Sequence, residues 1–307
     1  MWNTEKIDNL SGKIIIVTGA NSGIGFYTAK VLANKGAKII FASRNKEKSI
    51  KAIDQILREN ENADITYIKL DLADQENIKK FGDEFKKRFK KLDVLCNNAG
   101  IMWTPYQKTV DGFEMQFGTN HLGHFALTGI LMDCLKNTRN SRVITVSSIA
   151  HFSSSSNLMN QYNESNYNRY NAYSKSKLAN LLFAYELQRK FDQNKIESLS
   201  IAVHPGVART NLFKSGTKNE KNSFRSFYHN SISFLLGQTA YLGAIPLIRA
   251  ATDKNINGGK YYGPLILGLW GWAVKNFSSP ISHNKELAIK LWKYSEEATG
   301  IKYNFHK

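Results

Sequence analysis

The chain has 307 residues, 42% of them hydrophobic and 12% aromatic, enough to bury a sizeable core and far from a disordered composition. Its formal net charge of +17 suggests attraction to polyanions, but the lysines are scattered and no nucleic-acid-binding motif lies among them, so nucleic acid is set aside as a partner. Cys96 and Cys134 stand in no CxxC pair and beside no metal-ligand cluster, so neither a disulfide framework nor a metal site is expected, and the count suits a reducing compartment.

Residues 1–10 are polar and lack the apolar region of a signal peptide. The most apolar stretches are 232–248, which Gln238, Thr239, Gly243 and Pro246 interrupt, and 265–274, about half the length of a spanning helix. A cytoplasmic location without a transmembrane helix is expected, with peripheral contact to a membrane surface as a further expectation.

Short β-rich runs alternate with longer amphipathic ones. Strands are expected at 13–17, 37–43, 65–70, 92–96, 142–147 and 198–203. Helices are expected at 23–35, 46–60, 74–89, 112–135 and 172–191. In 74–89, Ile78, Phe81, Phe85 and Phe89 step by three and four along one face. Such alternation implies βαβ units: a single Rossmann-type doubly wound α/β domain over 1–307, its parallel sheet covered by helices on both faces. A substrate-loop region is expected at about 208–232 and a C-terminal extension at about 264–307. In such a sheet the ligand crevice lies at the carboxyl ends of the strands, where strand order reverses.

The first strand runs into Thr18-Gly19-Ala20-Asn21-Ser22-Gly23-Ile24-Gly25, and a helix follows. Glycines let the backbone turn sharply and let a phosphate approach, and the helix start offers free N–H groups and a positive dipole end. The context is that of a dinucleotide fingerprint, with Gly19, Asn21, Ser22, Gly23, Ile24 and Gly25 as the candidate cradle. NAD binding favours an acid at the end of the second strand, to bond the ribose 2′-OH. Here Ser43 and Arg44 stand in its place. A guanidinium matches a 2′-phosphate bidentately, so NADP(H) is the expected cofactor.

Tyr173 and Lys177 lie four apart in a helical stretch, on one face. A cation near a phenol favours its anion and lowers its pKa, giving an acid/base suited to a carbonyl and its alcohol. Ser147 and Ser148 end the fifth strand, and Asn97-Asn98-Ala99-Gly100 ends the fourth. Asn120 lies in the long helix between them.

In this order, TGxxxGxG, NNAG, a helical Asn, a strand-end Ser and YxxxK resemble the short-chain dehydrogenase/reductases over about residues 10–300. The resemblance implies Tyr173 as general acid/base, and Lys177 as the group that lowers its pKa and holds the nicotinamide ribose. It implies Ser148 as orienting the substrate oxygen and Asn120 as holding a relay water. It further implies Asp71 and Leu72 at the adenine, and Asn98, Ala99 and Gly100 at the adenosine ribose. Pro205, Gly206, Val207 and Thr210 would grip the nicotinamide end. The runs Asn120-His121-Leu122-Gly123-His124-Phe125, Ser147-Ser148-Ile149-Ala150-His151 and Gly259-Lys260-Tyr261-Tyr262-Gly263-Pro264 look like the retinol-dehydrogenase-like branch. So does the spacing of 25 positions from Ser148 to Tyr173.

The expected activity is hydride transfer between NADP(H) and a small apolar aldehyde, ketone or alcohol. The alternative is a non-catalytic NADP(H)-binding regulatory protein on the same fold. His121 and His124, three apart, read as structural histidines. The cluster of Lys86, Lys87, Arg88, Lys90 and Lys91 reads as a solvated surface. Residues 265–272 read equally as a packed segment or as a lid over an apolar substrate.

Overall fold

A computed structural model of the chain describes residues 2–159, 162–207 and 238–306. β1 (Ile14–Thr18) leads into α1 (Gly23–Asn34), β2 (Lys38–Ser43) into α2 (Lys46–Glu59), and β3 (Ile65–Lys69) into α3 (Gln75–Arg88). β4 (Val94–Asn97), β5 (Arg142–Val146), β6 (Leu199–Val203), β7 (Tyr261–Ile266) and β8 (Trp270–Lys275) follow. They form an eight-stranded sheet in the order β3-β2-β1-β4-β5-β6-β7-β8. All pairings are parallel except β7 with β8, which form an antiparallel hairpin.

The strands are continuous apolar runs because both faces are covered. Ile15, Val17, Ile39, Phe41, Val94, Cys96, Ile144 and Val146 face one core layer, closed by Ala29 and Leu32 of α1, Ile53 and Ile56 of α2, and Leu247 and Ile248 of α8 (Ala240–Thr252). Their neighbours Ile16, Ile40, Leu95 and Val143 face the other layer, with Ile78, Phe81 and Phe85 of α3. Phe125 and Leu127 of α5 (Gly123–Ile130) and Phe183 and Leu187 of α7 (Arg169–Gln193) complete that layer. α9 (Lys285–Thr299) then covers α5 and α7, with the Trp292 ring 5.1 Å from Phe125 and 5.8 Å from Phe183. This second covering is why α7 is buried nearly all round.

The stretch 112–135 is not one helix. The Glu114 carboxylate accepts from the N–H groups of Gln116 and Phe117, so helix begins only at α4 (Met115–Phe117). A π turn, Gly118–Leu122, separates α4 from α5, and Leu131 breaks α5 from α6 (Met132–Lys136). Residues 265–272 lie in the β7–β8 hairpin, with Leu265, Ile266 and Leu267 exposed at its tip. Its Leu269 carbonyl lies so near Gly206 that a Cβ there would come within 2.4 Å.

Near α3 the basic cluster has local partners: Arg88 pairs with Glu84, Lys91 with Asp93, and Lys90 donates to the Lys86 carbonyl. Among the described residues, no helix is long and apolar enough to cross a membrane.

Phe85 is fully buried between α3 and the sheet. Phe85→Ala is expected to lower unfolding stability by about 3–5 kcal/mol. Equilibrium urea unfolding measures this, and an unchanged midpoint would contradict the packing described.

Candidate active site

Strand order reverses between β1 and β4, so the chain leaves Thr18 toward one side and Asn97 toward the other. Thr18 closes the gap. Its Oγ1 accepts from the N–H groups of Asn98 and Ala99, each at 2.9 Å, and its carbonyl accepts from Asn98 Nδ2 at 2.7 Å. Gly19 turns away with φ +66°, and a Cβ there would come within 3.0 Å of Ala99. The two glycine-containing motifs are therefore one packed unit.

The Ser22 side chain makes no bond to the start of α1, and no acid stands in its first turn. The first N–H groups of that helix remain available to an anion. Gly25 lets the helix sit this close: a Cβ there would come within 2.5 Å of the Gly19 carbonyl.

A cavity of about 540 Å³ extends from this turn. Gly19, Asn21, Ser22, Gly23, Ile24 and Gly25 line one end, and Asn98, Ala99 and Gly100 one wall. Ser148, Tyr173, Lys177, Pro205, Gly206 and Val207 complete it. Sequence reasoning missed Ile101, Met102, Trp103, Ile149 and Ala150, which give the far end an apolar wall. The signal for three of them was the apolar run Ile101-Met102-Trp103 directly after Gly100.

Tyr173 and Lys177 project from one face of α7, with Lys177 Nζ 5.6 Å from the centre of the Tyr173 ring. Nζ donates to the Val146 carbonyl at 3.1 Å. Burial pushes Lys177 down to about 8. Burial also pushes Tyr173 up to about 12, with the neighbouring Ser148 hydroxyl working the other way. Desolvation is the largest influence on the phenol and favours its protonated form. Ser148 Oγ accepts from the Ala150 N–H at 3.2 Å, which leaves its own O–H free to donate. A buried acid, a hydroxyl donor and a cation in one cavity can stabilise negative charge developing on an oxygen.

Asn120 sits in the π turn behind the wall. Its Oδ1 accepts from the Ile101 N–H at 2.9 Å, and its Nδ2 donates to the Ile101 carbonyl at 3.0 Å and to Ser176 Oγ at 2.9 Å. The amide latches the 101 segment to α7 and has no donor left for a water. The Asn120 carbonyl lies 3.0 Å from His124 Nδ1, and His124 Nε2 lies 3.0 Å from Thr18 Oγ1. A carbonyl only accepts, so His124 carries its proton on Nδ1, and its bare Nε2 faces the Thr18 hydroxyl as an acceptor; the same hydroxyl lies 3.2 Å from the Cys96 carbonyl. Burial lowers its pKa to about 4, consistent with a neutral ring. His121 turns elsewhere, with Nε2 3.0 Å from Ser295 Oγ.

Four expected cofactor residues do not line the cavity. Ser43 is buried with its hydroxyl on Ser49, and Leu72 is buried against Gly123. Arg44 lies exposed at the end of β2, 3.8 Å from Asp71, and Asp71 Oδ1 accepts from the Ala73 N–H at 3.1 Å. Thr210 and the 208–232 loop region lie outside the described residues.

A doubly wound sheet with a glycine turn, a nucleotide-sized crevice and a Ser–Tyr–Lys cluster defines a dinucleotide-binding oxidoreductase fold. The family model for short chain dehydrogenase matches residues 13–221. Retinol dehydrogenase 12 of Homo sapiens is 36% identical over 303 residues, covering 96% of this chain and 88% of its own. Retinol dehydrogenase 13 of Homo sapiens is 38% identical over 295 residues, covering 95% and 86%. The crystal structure of an uncharacterised protein from Mycobacterium Paratuberculosis superposes with a TM-score of 0.79 at 34% identity, covering 99% of both chains. The chain belongs to the short-chain dehydrogenase family of oxidoreductases, and within it to the retinol-dehydrogenase-like branch.

Gly25→Ala is expected to weaken binding of a nicotinamide dinucleotide by about tenfold or more, because the added methyl pushes α1 off the Gly19 carbonyl. Fluorescence titration measures it, and unchanged affinity would contradict the tight seating of α1.

Proposed function

We propose that the protein is an NADP(H)-dependent oxidoreductase that interconverts an apolar aldehyde or ketone with its alcohol, with Tyr173 as general acid/base. The observation that carries this reading is one cavity with an anion cradle at one end and Ser148, Tyr173 and Lys177 beside an apolar wall at the other. The cradle fits a dinucleotide: Gly19 and Gly25 are where side chains would collide, and the α1 donors are free. When bound, the nicotinamide group supplies or takes up a hydride.

Gly23, Ile24 and Gly25 would hold the pyrophosphate through their N–H groups. Asn98, Ala99 and Gly100 would form the wall at the adenosine ribose, and Pro205, Gly206 and Val207 the seat of the nicotinamide. Arg44 would meet a 2′-phosphate. Its ion pair to Asp71 is long and its side chain 71% exposed, so little holds it back. A solved short chain dehydrogenase from Shigella flexneri, 23% identical with a TM-score of 0.61, is described as complexed with NADP. The curated relatives are named for retinol, an apolar alcohol, which agrees with the wall of Ile101, Met102 and Trp103.

In the reducing direction Ser148 O–H and the Tyr173 phenol both face the substrate oxygen. As negative charge develops there, Tyr173 gives up its proton, and Lys177 stabilises the phenolate left behind. Burial favours the protonated phenol, the form from which this step would start.

Tyr173→Phe is expected to lower kcat for NADPH-dependent reduction of all-trans-retinal by about a thousandfold or more while leaving NADPH affinity largely unchanged. Turnover surviving the change would sink the assignment. Arg44→Asp should weaken NADPH by about tenfold or more with little effect on NADH; equal losses would remove Arg44 from the 2′-phosphate. Lys177 is cationic below its lowered value of about 8, so reductive kcat/KM should hold through neutral pH and fall above it. A profile still rising past that point would contradict the role given to Lys177.

A further inference from the structure

His151 stands three residues beyond Ser148, in the 3-10 turn Ile149–Ser153, and its ring is buried. Both ring nitrogens are committed. Nδ1 lies 2.6 Å from the Ser148 carbonyl oxygen, and Nε2 lies 3.0 Å from the Ser279 backbone nitrogen. A main-chain carbonyl can only accept and a main-chain N–H can only donate. One state satisfies both contacts: a neutral ring with its proton on Nδ1.

The ring is also fixed sideways. Phe152 lies against it at 4.1 Å between ring centres, and Tyr261 of β7 meets it edge-on at 5.6 Å. Ser279 precedes the 3-10 turn Pro280–His283 that leads into α9. The imidazole therefore braces the end of β5 against the C-terminal part of the chain.

The residue it braces is Ser148. The Ser148 carbonyl accepts from the ring Nδ1–H and, at 3.1 Å, from the His151 backbone N–H, while Oγ accepts from the Ala150 N–H. None of these bonds uses the Ser148 O–H, and Ser148 lines the cavity beside Tyr173. Without the imidazole, the Ser148 carbonyl keeps only the N–H of its own turn and loses its tie, through the ring, to Ser279. The catalytic proposal for Tyr173 and Lys177 makes no use of this histidine.

We propose that His151 is a positioning residue for Ser148: a neutral, Nδ1-protonated strut, anchored at Ser279, that aims the Ser148 hydroxyl at the substrate oxygen. The proposal rests on the reductase reading given above.

Two measurements test it. The first is a double-mutant cycle on NADPH-dependent reduction of all-trans-retinal. His151→Phe keeps an aromatic ring and removes both bonds; it should lower kcat by about tenfold or more with NADPH affinity unchanged. In a Ser148→Ala background the same change should cost less than about twofold, because the strut then has nothing to aim. Equal losses in both backgrounds would overturn the proposal and leave His151 a packing residue.

The second is long-range ¹H–¹⁵N correlation NMR on the wild-type protein without substrate. It should show the His151 ring neutral at pH 7 with the proton on Nδ1; an Nε2-protonated ring or an imidazolium would overturn the proposal. This second readout needs neither turnover nor a folded variant. Failure of wild-type turnover would count against the reductase reading, and the NMR result would still decide the state of His151.

Discussion

The junction at Thr18 is the constraint on which the site depends. A parallel sheet that reverses strand order between β1 and β4 splits its own backbone at the carboxyl end. The exposed N–H groups of Asn98 and Ala99 must then find acceptors. Thr18 Oγ1 takes both, at 2.9 Å each. Once it does, Ala99 presses on Gly19 and α1 presses on the Gly19 carbonyl, so only glycine serves at positions 19 and 25. The same hydroxyl meets His124, whose other nitrogen meets the Asn120 carbonyl. One side chain thus ties the dinucleotide cradle to the helix behind Lys177.

Burial governs the chemistry at the other end. Tyr173 and Lys177 lose water together, and desolvation pushes each toward its neutral form: the phenol up, the ammonium down. The cation is kept in place by the Val146 carbonyl at 3.1 Å. Burial favours the protonated phenol in this cavity, beside a lysine that in the proposed reaction would stabilise its anion.

The order of strands and helices was legible because it rests on periodicity and on glycine turns, which are local. The cradle was legible for the same reason: its residues are contiguous from Gly19 to Gly25. What the sequence hid depends on contacts between distant segments. The break in the 112–135 stretch follows from the Glu114 cap and a π turn, which helical periodicity does not register. The packing of Ser43 on Ser49 and of Leu72 on Gly123, away from the cavity lining, is of that kind. The bonds of the Asn120 side chain to Ile101 and Ser176 likewise join segments far apart in the chain. The burial that sets the Tyr173 phenol also comes from packing around α7 and has no one-dimensional trace.

The most direct measurement of the central claim follows an atom. NADPH carrying deuterium on the transferable position of the nicotinamide C4 is incubated with the protein and all-trans-retinal, and the alcohol is analysed by mass spectrometry. The account predicts one deuterium on the carbinol carbon of the product. Alcohol formed without deuterium at that carbon would contradict hydride transfer from the cofactor to the substrate.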